Sequence, residues 1–308
     1  MSIALAAFDQ IIIMFIIIIA GIICYKVKLI DKETNKKLAD LVLMLVNPFV
    51  IFVSYQREFE ATLLKGLLIS LGLAVATHVF GILATTIFLP KKKQEDHIGI
   101  ERFVVIYSNC GFMGIPLVNG IFGSEGVFYI TAYMTVFNLF AWTHGMIAIS
   151  GKSDKKSIIQ AILSPLVIAT VAGFLMFVFR ISLPAILTSA LSLIGNMNTP
   201  LAMLVAGVTI AQADIRKLLK KARAYYITAL KLLLMPIAML FFFQFLDVSR
   251  TVLLTAVLAA ACPAAATVNL FALRFDKDYL YASELFALTT IFSLITIPIV
   301  MIIANLMV

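Results

Sequence analysis

Long apolar runs with almost no charge recur along this chain, among them Ile11 to Cys24, Leu63 to Leu89 and Val167 to Phe179 with their flanks. A bilayer crossing takes about 20 apolar residues, and runs this long and this uncharged exceed what a buried core helix uses. Composition closes off a water-soluble alternative: of 308 residues, 62% are hydrophobic and only 13% charged, whereas soluble domains carry about a quarter charged residues. The mean hydropathy is +1.07. The expected fold class is therefore an all-α polytopic membrane protein.

Dividing the apolar runs at charged or Gly/Pro punctuation gives ten spans, at 8–25, 37–54, 63–89, 102–122, 127–149, 158–179, 184–211, 222–246, 251–273 and 279–306. The intervening loops test that number, because Lys and Arg accumulate on the cytoplasmic side of short loops. Odd-numbered loops hold 19 of them, including Lys26, Lys91, Lys155, Arg216 and Arg274, and the even loops hold only Arg57, Lys65, Arg180 and Arg250. This alternation predicts a multi-pass protein of the plasma membrane, the bacterial cytoplasmic membrane, with both termini outside. The net charge of +8 is thereby read as an orientation signal and not as a nucleic-acid surface. No Lys or Arg precedes the first apolar run and no small-residue cleavage site follows it, so it is expected to be retained. Cys24, Cys110 and Cys262 lie in or beside apolar segments and give neither a disulfide framework nor a zinc spacing, so no metal or other cofactor is expected.

Five spans fall in residues 1–150 and five in 151–308, and an odd number of spans per copy forces the second copy to enter the membrane inverted. Inverted repeats are the plan of many secondary transporters. Span four contains Tyr107-Ser108-Asn109-Cys110-Gly111-Phe112-Met113-Gly114-Ile115-Pro116, and span nine contains Cys262-Pro263-Ala264-Ala265-Ala266-Thr267-Val268-Asn269. Proline removes a backbone donor and clashes with the preceding turn, and glycine weakens a helix, so both spans are expected to unwind. Unwound backbone at membrane depth must be buried in protein or line a polar cavity, so the two breaks should meet. The half-helix after each break would aim its N-terminal amides at the membrane centre, where they attract an anion. Asn109 and Asn269 would add side-chain donors. A packing kink at each break is the competing reading.

The run Asn109 to Leu117 (NCGFMGIPL), Asn47-Pro48 late in span two, and Pro263 with the small residues after it resemble the auxin efflux carriers, whose bacterial members include malate and malonate permeases. The resemblance implies a fold similar to sodium/proton antiporters and bile-acid transporters, with spans one, two, six and seven as scaffold and spans three to five and eight to ten as a moving core. It implies broken helices four and nine that cross, with Asn109, Gly114, Pro116, Pro263, Asn269 and Asn47 around a small organic anion, and a homodimer formed through the scaffold. Malate, malonate and an auxin-like aromatic acid all fit. The long hydrophilic central loop of many plant members is missing from this sequence.

Two further polar residues fall at membrane depth. Lys231 lies about 14 Å into span eight at 1.5 Å per residue, either as a coupling or substrate group or snorkelling to the interface. His78, near the middle of span three, is either a proton-coupling group or a neutral packing histidine. His144, Glu284 and Asp40 sit nearer span ends, and Asn47 and Pro48 in span two, with Asn196, Asn198, Thr199 and Pro200 in the symmetry-related span seven, either line the scaffold side of the cavity or hydrogen-bond between helices. Sodium symport, proton coupling and uniport all stay open. Enzyme motifs such as HExxH and GxSxG are absent from the sequence, as is a TVGYG-type filter. A cation-coupled carrier of another solute and a non-transporting sensor or scaffold are the alternatives.

Overall fold

The computed structural model of the chain describes residues 3–90, 97–152, 159, 162–213 and 221–308. Lys91, Lys92, Lys93, Lys155, Lys156, Arg216, Lys217 and Lys220, on which part of the charge alternation rests, lie outside the described residues.

Among the described residues the chain is helical, and the one extended pairing is an isolated antiparallel bridge between Ser108 and Ala264. In chain order the helices are α1 (Ile3–Lys26), α2 (Lys32–Ser54), α3 (Ala61–Phe88), α4 (Ile98–Ile106), α5 (Ile115–Phe140), α6 (Pro165–Val178), α7 (Ala185–Gln212), α8 (Ala222–Phe243), α9 (Arg250–Ala261), α10 (Thr267–Arg274) and α11 (Tyr279–Met307). Six of these, α1, α2, α3, α7, α8 and α11, are long and apolar enough to cross a membrane, and α6 and α9 are shorter apolar helices. Their outward faces carry Ile13, Ile16 and Ile19 on α1 and Leu83 and Ile87 on α3, all exposed. Exposed apolar surface on this scale belongs against lipid.

Local chemistry explains where the helices deform. Wide, π-type turns occur at Val42–Val46, Cys110–Gly114 and Leu230–Leu234, and in each case a proline follows two residues later: Pro48, Pro116 and Pro236. A proline cannot donate to the helix and its ring crowds the carbonyl one turn back, so a widened turn relieves the conflict. A fourth wide turn, Ala141–Gly145, follows α5 without a proline. Within α5 the chain turns back at Gly123, whose φ of 61° and ψ of −152° suit a residue without Cβ. The two arms of this hairpin pack closely, with Gly114 against Ile130 and Gly111 against Met134.

The tightest helix pair is α1 with α7. A Cβ on Gly207 would stand 2.1 Å from the Ile18 carbonyl oxygen, and one on Gly21 would stand 2.4 Å from that of Leu204. Lipid tails are as apolar as leucine, so association of membrane helices depends on such close backbone approach.

Candidate functional site

The helix that begins at Ile98 stops at Ile106, Tyr107 turns extended (φ −99°, ψ 112°), and the chain re-enters helix through the wide turn after Asn109. In the second half of the chain α9 stops at Ala261, and Cys262 is extended (φ −58°, ψ 148°) as the residue before a proline prefers. Helix resumes at Thr267. The two interruptions meet. Asn109 N donates to the Pro263 carbonyl at 2.8 Å, and Ala265 N donates to the Tyr107 carbonyl at 2.9 Å. Between those bonds Ser108 stands opposite Ala264, and Ala264 N donates to Thr289 Oγ1 at 3.2 Å. Backbone groups released by one break are thus satisfied by the other, which buried amides and carbonyls require.

Side chains at this crossing are polar and buried. Asn109 is 5% exposed; its Oδ1 accepts from Phe112 N at 3.3 Å, capping the turn that follows, and its Nδ2 has no hydrogen-bond partner. Lys231 sits in the wide turn of α8, 1% exposed, and donates from Nζ to Ser108 Oγ at 2.5 Å; Ser108 Oγ in turn donates to the Ala260 carbonyl at 3.2 Å. Among the described residues no carboxylate lies within 4.0 Å of that ammonium. Lys231 is not snorkelling: its Nζ is held at the crossing of the two breaks.

Asn47 follows the first wide turn and is fully buried. Its Oδ1 accepts from Asn198 Nδ2 at 2.5 Å, tying α2 to α7, and its own Nδ2 is unpartnered and faces Gly111, where an added Cβ would come within 3.2 Å. Asn269 lies in α10, half-buried with Oδ1 unpartnered, and Thr267 Oγ1 is unpartnered as well. Unpaired buried polar atoms call for an explanation, an ordered water or a ligand being two of those open to them. Pro263 contributes its carbonyl to the crossing, and Pro116 is buried in the first turn of α5. Gly114 faces Ile130, Cys110 and Cys262, so its surroundings are apolar packing.

His78 is buried in an aromatic cage, with ring centroids of Tyr107, Tyr133, Phe137 and Phe140 at 5.3–6.3 Å and Nδ1 within 2.7 Å of the Ala74 carbonyl. Its Nε2 is left unpartnered. His144 pairs with the Tyr107 hydroxyl at 2.9 Å, Glu284 is buried and Asp40 is exposed.

A cavity of 470 Å³ opens beside the crossing, between the end of α2, the hairpin at Gly123 and the middle of α7. Asn198, Asn196 and Thr199 line it on one side and Ser54, Arg57, Asn119 and Ser124 on the other. It reaches Asn198 and Ile115, but Asn109, Pro116, Pro263 and Asn269 are not in its wall.

Three contributors were not legible in the sequence. Ser108 became visible only through its bond to Lys231, and Thr289 through its bond to the Ala264 amide. Glu101 is 4% exposed and meets Arg223 at 2.6 and 3.0 Å while accepting from the Tyr281 hydroxyl at 2.9 Å, which ties α4 to the starts of α8 and α11. A glutamate inside an apolar segment is the signal that points to such a pairing.

The profile of the membrane transport protein family matches residues 6–159 and 152–301. The chain is 26% identical to an uncharacterized transporter of Methanothermobacter thermautotrophicus over 294 residues, covering 92% of this chain and 93% of the relative. It is also 26% identical to the uncharacterized transporter YfdV of Escherichia coli K12 over 276 residues, 85% of this chain and 86% of that protein. An uncharacterized transporter of Methanocaldococcus jannaschii is 25% identical over 215 residues, 66% of this chain and 68% of the relative. With a profile match that spans nearly its whole length, the chain belongs to the membrane transport protein family, that of the auxin efflux carriers, and is a multi-pass membrane transporter.

Proposed function

We propose that this transporter carries a small organic anion, a mono- or dicarboxylate, by alternating access at the crossing of the two broken helices. The observation that carries the reading is Lys231: a lysine held 1% exposed, with the hydroxyl of Ser108 as its hydrogen-bond partner, next in the chain to Asn109, whose amide is unpartnered. A buried cation is costly unless paired, and a substrate carboxylate would supply the missing charge. Asn109 Nδ2 and Asn47 Nδ2 would donate to the carboxylate oxygens, with the Asn269 side chain on the other side of the crossing.

In this reading the chain has ten spans in two inverted repeats, 1–150 and 151–308, with both termini outside the cytoplasmic membrane. Two observations support a symmetrical plan: interruptions at 107–109 and 262–266 that bond to each other, and Asn47 of α2 bonded to Asn198 of α7. The core (spans three to five and eight to ten) would move against the scaffold and carry the crossing from one face to the other. Lys231 would act with the substrate as one electrostatic unit, relaxing towards Ser108 when the site is empty.

The test is uptake of labelled malate, malonate and an aromatic acetic acid by proteoliposomes containing the purified protein, with and without sodium and a proton gradient. Saturable uptake of one of these acids is expected. Absence of uptake for all of them, together with no stabilisation of the purified protein by any organic acid, would overturn the reading.

A further inference from the structure

The cavity beside the crossing contains a cation that the crossing does not use. Arg57 follows the end of α2 and is partly buried in the cavity wall. It is fixed on three sides: Nε donates to the Ser54 carbonyl at 2.9 Å, Nη2 donates to the Ser124 carbonyl at 2.8 Å, and the guanidinium lies 4.8 Å from the Phe128 ring centroid. A guanidinium has five N–H donors, so about three remain unspent after the two carbonyls. Among the described residues no carboxylate approaches Arg57 within 4.0 Å; burial disfavours its charged form, and the nearby Glu125 and Glu60 partly offset this.

Rigid positioning matters because a guanidinium already held in place loses little rotamer freedom when it binds an anion. The opposite wall offers Asn196, and Asn119 stands beside the hairpin; both residues are exposed, and neither side chain has a hydrogen-bond partner among the described residues. Asn198 in the wall of the same cavity is bonded to Asn47, whose amide faces Gly111 in the turn after Asn109. Ser54 lies seven residues beyond Asn47, which is about 10 Å along the helix. The cavity therefore runs from Arg57 to the neighbourhood of the crossing.

We propose that Arg57, with Asn119 and Asn196, forms an outer anion subsite that takes up the carboxylate of the transported acid before it passes to the crossing. The inference rests on the organic-anion reading and adds a second, earlier binding position to it. Arg57 is a specificity and access residue for anions arriving from the face that carries the 55–60 and 123–125 turns.

The experiment is malate uptake by proteoliposomes at about 10 mM and about 300 mM salt, since screening is weak at the first and strong at the second. Arg57→Gln is expected to raise KM by about tenfold at low salt, the loss of one charge-assisted contact, with kcat within about twofold of wild type. At high salt the difference should shrink to about threefold or less. Arg57→Lys should keep most of the affinity. Asn196→Asp leaves the Arg57 anchors in place and adds a negative charge to the facing wall, so it should raise KM as well and decides the matter if Arg57→Gln does not fold. Wild-type uptake with an unchanged KM in both Arg57→Gln and Asn196→Asp would overturn the outer subsite alone. No uptake of any organic acid by the wild type would overturn the anion reading and this proposal with it.

Discussion

Replacing Asn109 by alanine separates ligand binding from folding, because the two ends of this side chain do different things. Its Oδ1 caps the following turn through a long 3.3 Å bond from Phe112 N, and its Nδ2 is buried with no partner at all. Losing a weak cap costs about 0.5 kcal/mol, at the low end for such caps. Removing an unpaired buried donor returns free energy of similar size, about 1 kcal/mol. The empty protein should therefore change in stability by less than about 1 kcal/mol. Binding should respond far more, since a hydrogen bond to a charged ligand is worth about 1.5–3 kcal/mol, or roughly 12- to 150-fold in affinity. In a thermal-shift titration, malate at 100 times the wild-type Kd stabilises wild type by about 2.7 kcal/mol. A variant with about 100-fold weaker binding would gain only about 0.4 kcal/mol at the same concentration. Malate uptake should fall in parallel at subsaturating substrate. An Asn109→Ala protein whose ligand-induced shift and KM stay within about threefold of wild type, or whose empty form unfolds while its affinity persists, would refute the division of labour at this residue.

Other perturbations test different parts of the structure. Lys231→Met removes the buried cation and fits the same space; uptake should fall by at least about 30-fold, since a charge pair near 4 Å is worth about 4 kcal/mol at an effective dielectric of 20 before desolvation is subtracted. Yield and unfolding temperature in detergent should remain near wild type, and undiminished uptake would remove Lys231 from the substrate's electrostatics. Glu101→Gln breaks the 2.6 Å contact to Arg223 and should destabilise the junction of α4 with α8 and α11 by about 1.5–3 kcal/mol, read as a lower unfolding temperature. Gly207→Ala drives a methyl to 2.1 Å from the Ile18 carbonyl oxygen, so α1 and α7 must separate. A cost of about 1–3 kcal/mol is expected in unfolding titrations, and an unchanged midpoint would mean that the helix pair is looser than the structure has it.

Residue chemistry alone determined that the chain lives in a membrane and that the spans holding Pro116 and Pro263 are interrupted. Charge-poor runs cannot be hidden from water, and Pro116 and Pro263 act on their own neighbouring turns, so their effects were readable within a few residues of sequence. The wide turns in front of Pro48, Pro116 and Pro236 follow the same local rule. What each deformed turn touches was decided by tertiary packing. Lys231 and Ser108 are 123 residues apart, Asn47 and Asn198 are 151 apart, and nothing local to any of them names its partner. From sequence, Lys231 had two competing fates, at the interface or in the core, and the packing of α8 against the crossing selected the second. The cavity lined by Arg57 is likewise made of walls from α2, α5 and α7, so an arginine that reads as an ordinary loop residue takes its place in a cavity wall only when those helices assemble. Backbone conformation answers to covalent neighbours, whereas burial and pairing of polar groups are set by whichever segments fill the space around them.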